Sequence, residues 1–561
     1  MNTVTLHEPS FADALGAIES DSGLPEAKRR HWGCSLRQIA KALNKPLETI
    51  PARWTAVRFP IDRLHHARVG MTFKTLANHK SNVRASLRWV AGERDVPARG
   101  APLSAGWKVL HEGLPNLRAR ANLTGLMRFC SAREVSPQAV DEVVVNAYMA
   151  YRAETTALSI NNTARRAVAR AWNACVGTLQ GWPAHRLAEP PIKAMEGPAW
   201  QDFPAGLRAG IDRYLSDLAK PRRSYRGKRL RPCKESTIRT RRAELVAFVR
   251  MAVKLGVPLG SLTSIGALLH PDLVERVIDA YWQQDGEEPR IYTIELGSKL
   301  LAVARASGEL DDLLLDRLDD MRAELDQYRR DGLSEKNMAL IREVLSGNVW
   351  GEVVNLPAAL LKQARGLKDH APVKAGVLAQ IGVAIAILTF APVRLSNLVR
   401  THLDENLIKP GGIDNPYWLV FPDYDVKNRV PLEFQFDQIL TDFIDEYVNE
   451  LRPMLLRGSN EAWLFPGEVG GFKTPNMFST QITESVRKAI GLRITVHQFR
   501  HAAAAVYLRH RPADYESVRR LLGHRSIKTT MNFYCGLETT QATKIFGEIV
   551  RQHMSYDPEP A

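Results

Sequence analysis

His497–Gln498–Phe499–Arg500–His501, continuing into AAAAVYLRH (502–510), is the stretch that decides the fold of this 561-residue chain. The alanine run is a strong helix former. On a helix, His497 and Arg500 stand at i and i+3 and share one face. Working downstream, Glu516–Leu522 is predicted to form the next helix, with Gly523 as its left-handed stop. His524 follows at once, and Tyr534 comes ten residues later in KTTMNFY. Working upstream, GVLAQIGVAIAILTFAPV (376–393) runs straight into Arg394. Gln380 and Pro392 interrupt it, so it reads as a buried helix and not a membrane span. Between the two lies YWLVFPDYDVKNRVPLEF (417–434), whose apolar and polar residues alternate around Asp425–Asn428. That pattern predicts a β-hairpin with Lys427 at its tip.

Each of these residues has an ordinary reading when taken alone. A His-x-x-Arg pair on a helix is usually surface chemistry or a cap. Arg394 could cap a helix C-terminus, and Tyr534 could be a core tyrosine with a bonded hydroxyl. Together they make an unusual inventory: two Arg, one Lys, two His and one Tyr, without a carboxylate cluster, a metal-ligand spacing or a GxxxxGK loop. Arginine offers a planar fork of donors matched to phosphate oxygens. Two of them can hold both non-bridging oxygens of a phosphodiester as charge develops. Lysine can protonate a leaving alkoxide, and tyrosine can act as a covalent nucleophile. The set points to phosphoryl transfer through a phosphotyrosine, with no metal and no cofactor. His501 competes with His497 for its place, Tyr507 and Tyr515 compete with Tyr534, and Lys409 and Arg429 lie near Lys427.

HQFRHA, LLGH and the downstream tyrosine, preceded by an isolated arginine and a hairpin lysine, resemble the tyrosine recombinase (phage integrase) family. The resemblance implies Arg394, Lys427, His497, Arg500, His524 and Tyr534 as the catalytic set. It implies that Tyr534 attacks the scissile phosphate and leaves a 3′-phosphotyrosine, while Lys427 protonates the departing 5′-hydroxyl. His497 would assist proton transfer at the tyrosine, and His524 would hydrogen-bond the phosphate. The likeness covers roughly the last 225 residues. A fainter one, KESTIRTRRAELVAFVRMAVKLG followed by a helix with Tyr281–Trp282, is similar to the family's helical core-binding domain, which would clamp DNA with the catalytic domain as a C. Three positions depart from the family pattern. Asn397 stands where Arg-x-x-Glu is frequent, Pro392–Val393 replaces a glycine before Arg394, and the His524-to-Tyr534 spacing is one residue longer than the commonest form.

The rest of the chain is consistent with a nucleic-acid partner. Lys plus Arg number 76 against 61 Asp plus Glu, a formal net charge of +15. An excess of that size favours a polyanionic partner. With 45% hydrophobic and 24% charged residues, wholesale disorder is excluded. The five cysteines (34, 130, 175, 233, 535) form no CxxC pair, so neither a disulfide framework nor a zinc ribbon is supported. The N-terminus lacks a positive region followed by an apolar block, unlike a signal peptide. A cytoplasmic, nucleoid-associated location is expected.

Helical periodicity dominates elsewhere. The expected class is mainly α with a small antiparallel sheet in the C-terminal domain. Four regions are expected. Residues 1–64 are helical, with a stretch at 35–50 that resembles a helix-turn-helix through Asn44, Pro46 and Leu47. Residues 65–197 form a helical domain similar to a core-binding fold, and a rough pattern shared with 236–310 suggests duplication. Residues 198–332 form the core-binding DNA-binding domain, and 333–561 the catalytic domain. Lys220–Lys234 (KPRRSYRGKRLRPCK) carries a dense run of Lys and Arg with no acid before Glu235. Such a run is expected not to fold on itself, and to be a solvated linker or an arm tracking a phosphate backbone. A helix capped by Ser236 or Thr237 should follow it. The expected DNA contacts are Arg222, Arg223, Arg226, Lys228, Arg229, Arg231, Arg239, Arg241 and Arg242.

The expected partner is double-stranded DNA with specific recombination sites. A homo-tetramer is expected on DNA and a monomer or weak oligomer off it, with sister recombinases as further partners and no membrane. Competing functions are a type IB topoisomerase-like relaxation and an inactive accessory DNA-binding protein. The long N-terminal region favours a mobile-element recombinase.

Overall fold

The computed structural model describes residues 9–91, 102–156, 161–190, 196–225, 227–535 and 546–552. The chain is mainly helical, with one two-stranded and one three-stranded antiparallel sheet among the described residues. It divides into two compact units: residues 1–189 together with 332–561, and residues 190–331.

Capping chemistry sets the first helix of the larger unit. Ser10 and Asp13 form a reciprocal capping box that starts Phe11–Ser20. The next helix, Glu26–Leu43, stops at Asn44, whose φ of 53° is left-handed. The resemblance to a helix-turn-helix ends there. That motif needs a turn of about three or four residues, whereas here the following long helix is Trp54–Arg63. Residues 44–53 instead run through Pro46, a single turn at Leu47–Thr49 and an extended stretch. That stretch is pinned to the N-terminus: the Phe11 amide donates to the Ile50 carbonyl, and the Ala52 amide donates to the Pro9 carbonyl. The core beneath it runs from Phe11 to Leu87. The division expected after residue 64 therefore falls inside one core. A second helical core, with Trp107, Leu123, Phe129 and Trp172 at its centre, occupies residues 107–187.

In the 190–331 unit, six helices from Ala205–Leu218 to Asp312–Gln327 enclose one apolar core. The basic run Lys220–Lys234 folds here, contrary to expectation. Strands β1 (Arg222–Arg223) and β2 (Arg229–Leu230) pair antiparallel. Two tertiary anchors overcome the charge repulsion. Tyr225 at the turn donates to Asp312 over 2.8 Å. Arg222 turns inward and donates to the carbonyls of Leu218 and Arg231. The helix that follows is Glu235–Lys254, with Lys234 at its N-cap and no side-chain cap. Ser236 and Thr237 lie within its first turn, and Glu235 supplies the negative charge favoured there.

The C-terminal part of the larger unit is built on helix α1 (Pro372–Phe390). Its residues are apolar on every side, and it is buried, as expected of a core helix. A Cβ on Gly382 would meet the Pro357 carbonyl at 3.3 Å, so glycine lets the helix Val349–Leu367 approach closely. Strands β3 (Leu407–Ile408), β4 (Trp418–Phe421) and β5 (Leu432–Gln435) form the small sheet. The β4–β5 pair is the hairpin read from 417–434, with Phe421 opposite Leu432. Three helices close the segment: α3 (Val496–His510), α4 (Tyr515–Leu522) and α5 (Ile527–Tyr534), while the short α2 (Leu395–Val399) follows Arg394.

Candidate active site

The site lies where the Arg394 turn, the β4–β5 loop and the α4–α5 turn meet around the first turn of α3. Thr495 and Gln498 form a capping box that fixes where α3 begins. This sets the phase of the helix, so Phe499 is buried in the core and His497 is exposed. Arg500 is buried at 3% exposure. It donates from one terminal nitrogen to the Pro392 carbonyl and from the other to the Leu522 carbonyl. Those carbonyls lie just before Arg394 and just before Gly523–His524. Arg500 thus ties together the turns that carry two other candidate residues, and it retains N–H donors beyond these two.

Arg394 is the N-cap of α2. Its Nη1 is buried with no hydrogen-bond partner among the described residues. Burial lowers its pKa from the usual arginine value. A buried guanidinium nitrogen without an acceptor is costly unless an anion supplies one. Arg500 is lowered further, to about 10, by burial and then by Arg394.

His524 follows Gly523, whose φ of 57° ends α4 as expected. Its backbone is held on both sides: its amide donates to the Arg519 carbonyl, and Arg519 donates back to the His524 carbonyl. Its Nδ1 is 3.0 Å from Thr530 Oγ1, and its Nε2 has no hydrogen-bond partner among the described residues. Burial, then Arg500, Arg394 and Arg519, lower its pKa to about 4. His497 is also lowered, by desolvation and then by Arg500 and Arg394. Both imidazoles are therefore neutral at pH 7.

Lys427 is exposed in the β4–β5 loop. Two neighbours bind that loop to the site. Asn428 donates to the Gly523 carbonyl over 3.1 Å. Asn397 donates to the Asp425 carbonyl over 3.4 Å. The asparagine that departs from the Arg-x-x-Glu pattern thus links the Arg394 turn to the lysine loop.

Tyr534 ends α5 and is buried at 1% exposure among Ala504, Leu508, Val518 and Leu522. Its hydroxyl is 2.9 Å from Nδ1 of His501. Burial pushes its pKa above the usual phenol value, and Arg500 partly offsets this. His501, which sequence reading set behind His497, is the histidine that touches the tyrosine. The signal for it was its position beside Arg500, but its direction depends on how α5 docks. Of the competing tyrosines, Tyr507 donates to Asp514 over 2.8 Å. Among the described residues, no group of three or more His, Cys, Asp or Glu side chains gathers where it could hold a metal ion.

The expected DNA-contact residues fall into two sets. Arg222 is engaged inside the hairpin, and half-buried Arg241 faces Glu244 at 3.4 Å. Both are half-buried and have partners within this unit. Arg242 pairs with Asp212 at 2.5 Å and lies over the Trp200 ring. Arg239 is exposed, 3.8 Å from Glu235. Arg223, Lys228, Arg229 and Arg231 are exposed on or beside the hairpin. Arg226 lies outside the described residues.

The family model for the phage integrase family matches residues 394–540, beginning at Arg394. This segment of the chain is thus similar to the phage integrase, or tyrosine recombinase, family. The curated relatives it matches are XerC tyrosine recombinases. That of Rickettsia canadensis (strain McKiel) is 36% identical over 97 residues, 17% of this chain and 30% of the relative. That of Rickettsia felis (strain ATCC VR-1525 / URRWXCal2) gives the same figures. The chain thus spans about a third of the length of these relatives. Among solved structures, a lambda integrase (75–356) dimer bound to a COC′ core site aligns at 15% identity and TM-score 0.34, covering 58% of this chain and 93% of that one.

Proposed function

We propose that this chain is a site-specific DNA recombinase that cleaves and rejoins strands through a 3′-phosphotyrosine at Tyr534. The observation that carries the reading is the convergence around α3. Among the described residues, Arg394 has a buried guanidinium nitrogen without an acceptor and His524 Nε2 has no partner, and both border the helix that holds the Tyr534 hydroxyl. A scissile phosphate would supply the acceptor Arg394 lacks, and Arg500 and His524 would share its charge. Lys427, on a loop tethered to the His524 turn, would protonate the 5′-oxygen. The covalent link conserves the bond energy, so rejoining needs only the reverse attack.

In this reading duplex DNA is the substrate, recognised at specific sites by a homo-tetramer that assembles on DNA, with sister recombinases as partners. The outcome is integration, excision or transposition of a mobile element in the cytoplasm. The exposed cations Arg223, Lys228, Arg229, Arg231 and Arg239 supply phosphate contacts. A nicked suicide substrate tests the reading. A covalent protein–DNA adduct is expected, and it should vanish in Tyr534→Phe. An adduct that survives that substitution would defeat the assignment.

A further inference from the structure

The proposed cleavage leaves one proton without an owner. Before attack, the Tyr534 phenol must lose its hydrogen. Resting on the proposed function, we infer that His501 is a further catalytic residue, the base that takes the Tyr534 proton, and that the more exposed His497 is not.

Geometry is the first argument. A general base must be within hydrogen-bond reach of the proton it removes. Nδ1 of His501 is 2.9 Å from the Tyr534 oxygen. The hydroxyl has one proton, and Nδ1 is its hydrogen-bond partner among the described residues. Were Nδ1 protonated instead, the phenol hydrogen would point without an acceptor into Ala504, Leu508, Val518 and Leu522. The phenol therefore donates, and the Nδ1 lone pair is already aimed at the proton to be moved. His497 stands one turn away on α3, with its ring centroid 4.8 Å from that of His501.

Electrostatics is the second. Burial, then His497, Arg500 and His524, hold His501 at about 4, while burial holds the phenol high. In the free protein the proton therefore stays on Tyr534 and the nucleophile is inert. A phosphodiester anion bound by Arg394 and Arg500 offsets the positive charge beside His501 and strengthens it as a base. The substrate itself would thus switch on proton transfer. Tyr534 and His501 are both buried, at 1% and 6% exposure, so the pair must be uncovered together, with its contact kept, for the phosphorus to be reached.

The step balances. The Tyr534 O–H proton passes to Nδ1 of His501 as the phenolate oxygen bonds to phosphorus. The P–O5′ bond breaks, and the 5′-oxygen takes a proton from Lys427. Rejoining reverses both transfers.

The test compares single-turnover cleavage of the nicked substrate by the full chain and by His501→Asn and His497→Asn. Each is made with tyrosine or with difluorotyrosine at 534, whose phenol ionises more readily. His501→Asn should slow cleavage about 100-fold, and difluorotyrosine should restore most of that loss. It should give His497→Asn no comparable rescue. His501→Gln, which keeps more of the ring volume, serves if the asparagine variant does not fold. Cleavage at the unaltered rate in a folded His501 variant would overturn the inference. So would a loss that difluorotyrosine does not repair, or a rescue seen only for His497→Asn. If the unaltered chain gives no Tyr534-dependent adduct, the proposed function itself fails; if it does, these outcomes bear on His501 alone.

Discussion

At the scale of single residues, burial without an acidic partner is the common theme. Arg394, Arg500, His501 and His524 are all shifted toward their neutral forms, with desolvation as the largest cause. Such a cluster of cations and neutral imidazoles favours an anion. Arg394→Ala should therefore lower single-turnover cleavage about 100- to 1000-fold, with DNA retention in a gel shift little changed. Retained cleavage would remove Arg394 from the reaction. The histidines also carry a stability signature. Their folded values of about 4 lie below the ordinary 6.5. Between those pH values the unfolded chain binds more protons, so stability falls as pH drops from 6.5 toward 4. Melting temperatures measured across that window should fall less steeply in the His501→Asn, His524→Asn double variant. An identical slope would contradict the shifts.

At the scale of elements, the turns hold the site together. Gly523 is left-handed, and a Cβ there would sit 2.6 Å from Leu432 Cδ2 on β5. Gly523→Ala should cost about 1–2 kcal/mol from the backbone alone, seen in denaturant unfolding, and should slow cleavage by moving His524. Normal stability and normal cleavage would show that the α4–α5 turn does not position His524. Phe499→Ala, which opens the core under α3, should cost about 3–5 kcal/mol. Much at this scale was legible in the sequence. The 417–434 alternation gave the β4–β5 pair, the 376–391 apolar run gave α1, and the Gly523 stop was readable because each depends on neighbours in the chain. The basic hairpin was not legible. Its fold depends on Tyr225 reaching Asp312, a contact that local charge density hides. The same limit applied to His501, whose partner lies on α5, and to residues 44–53, which are held by Pro9 and Phe11. The order of Arg394, Lys427, His497, Arg500, His524 and Tyr534 was readable, whereas the tethers Asn397 and Asn428 emerged only in three dimensions.

At the scale of the whole molecule, the +15 charge divides into distinct roles. Half-buried Arg222 and Arg241 have partners within the 190–331 unit, while Arg500 is buried and Arg394 half-buried in the candidate site. Lys228, Arg229 and Arg231 are exposed, and the proposed function assigns them to the backbone of DNA. Affinity should fall linearly with the logarithm of salt concentration, with a slope reduced by about 0.9 for each phosphate contact removed. Replacing Lys228, Arg229 and Arg231 with alanine should flatten that slope and weaken cognate and unrelated duplexes alike. An unchanged slope would take the hairpin off the DNA. The central claim is the identity of the covalent link, and mass spectrometry of nuclease-trimmed protein–DNA adducts tests it most directly. The account predicts a nucleotide joined through its 3′-phosphate to the peptide containing Tyr534, with a free 5′-hydroxyl on the other strand end. A nucleotide on Tyr507 or Tyr515, or a link through a 5′-phosphate, would contradict it.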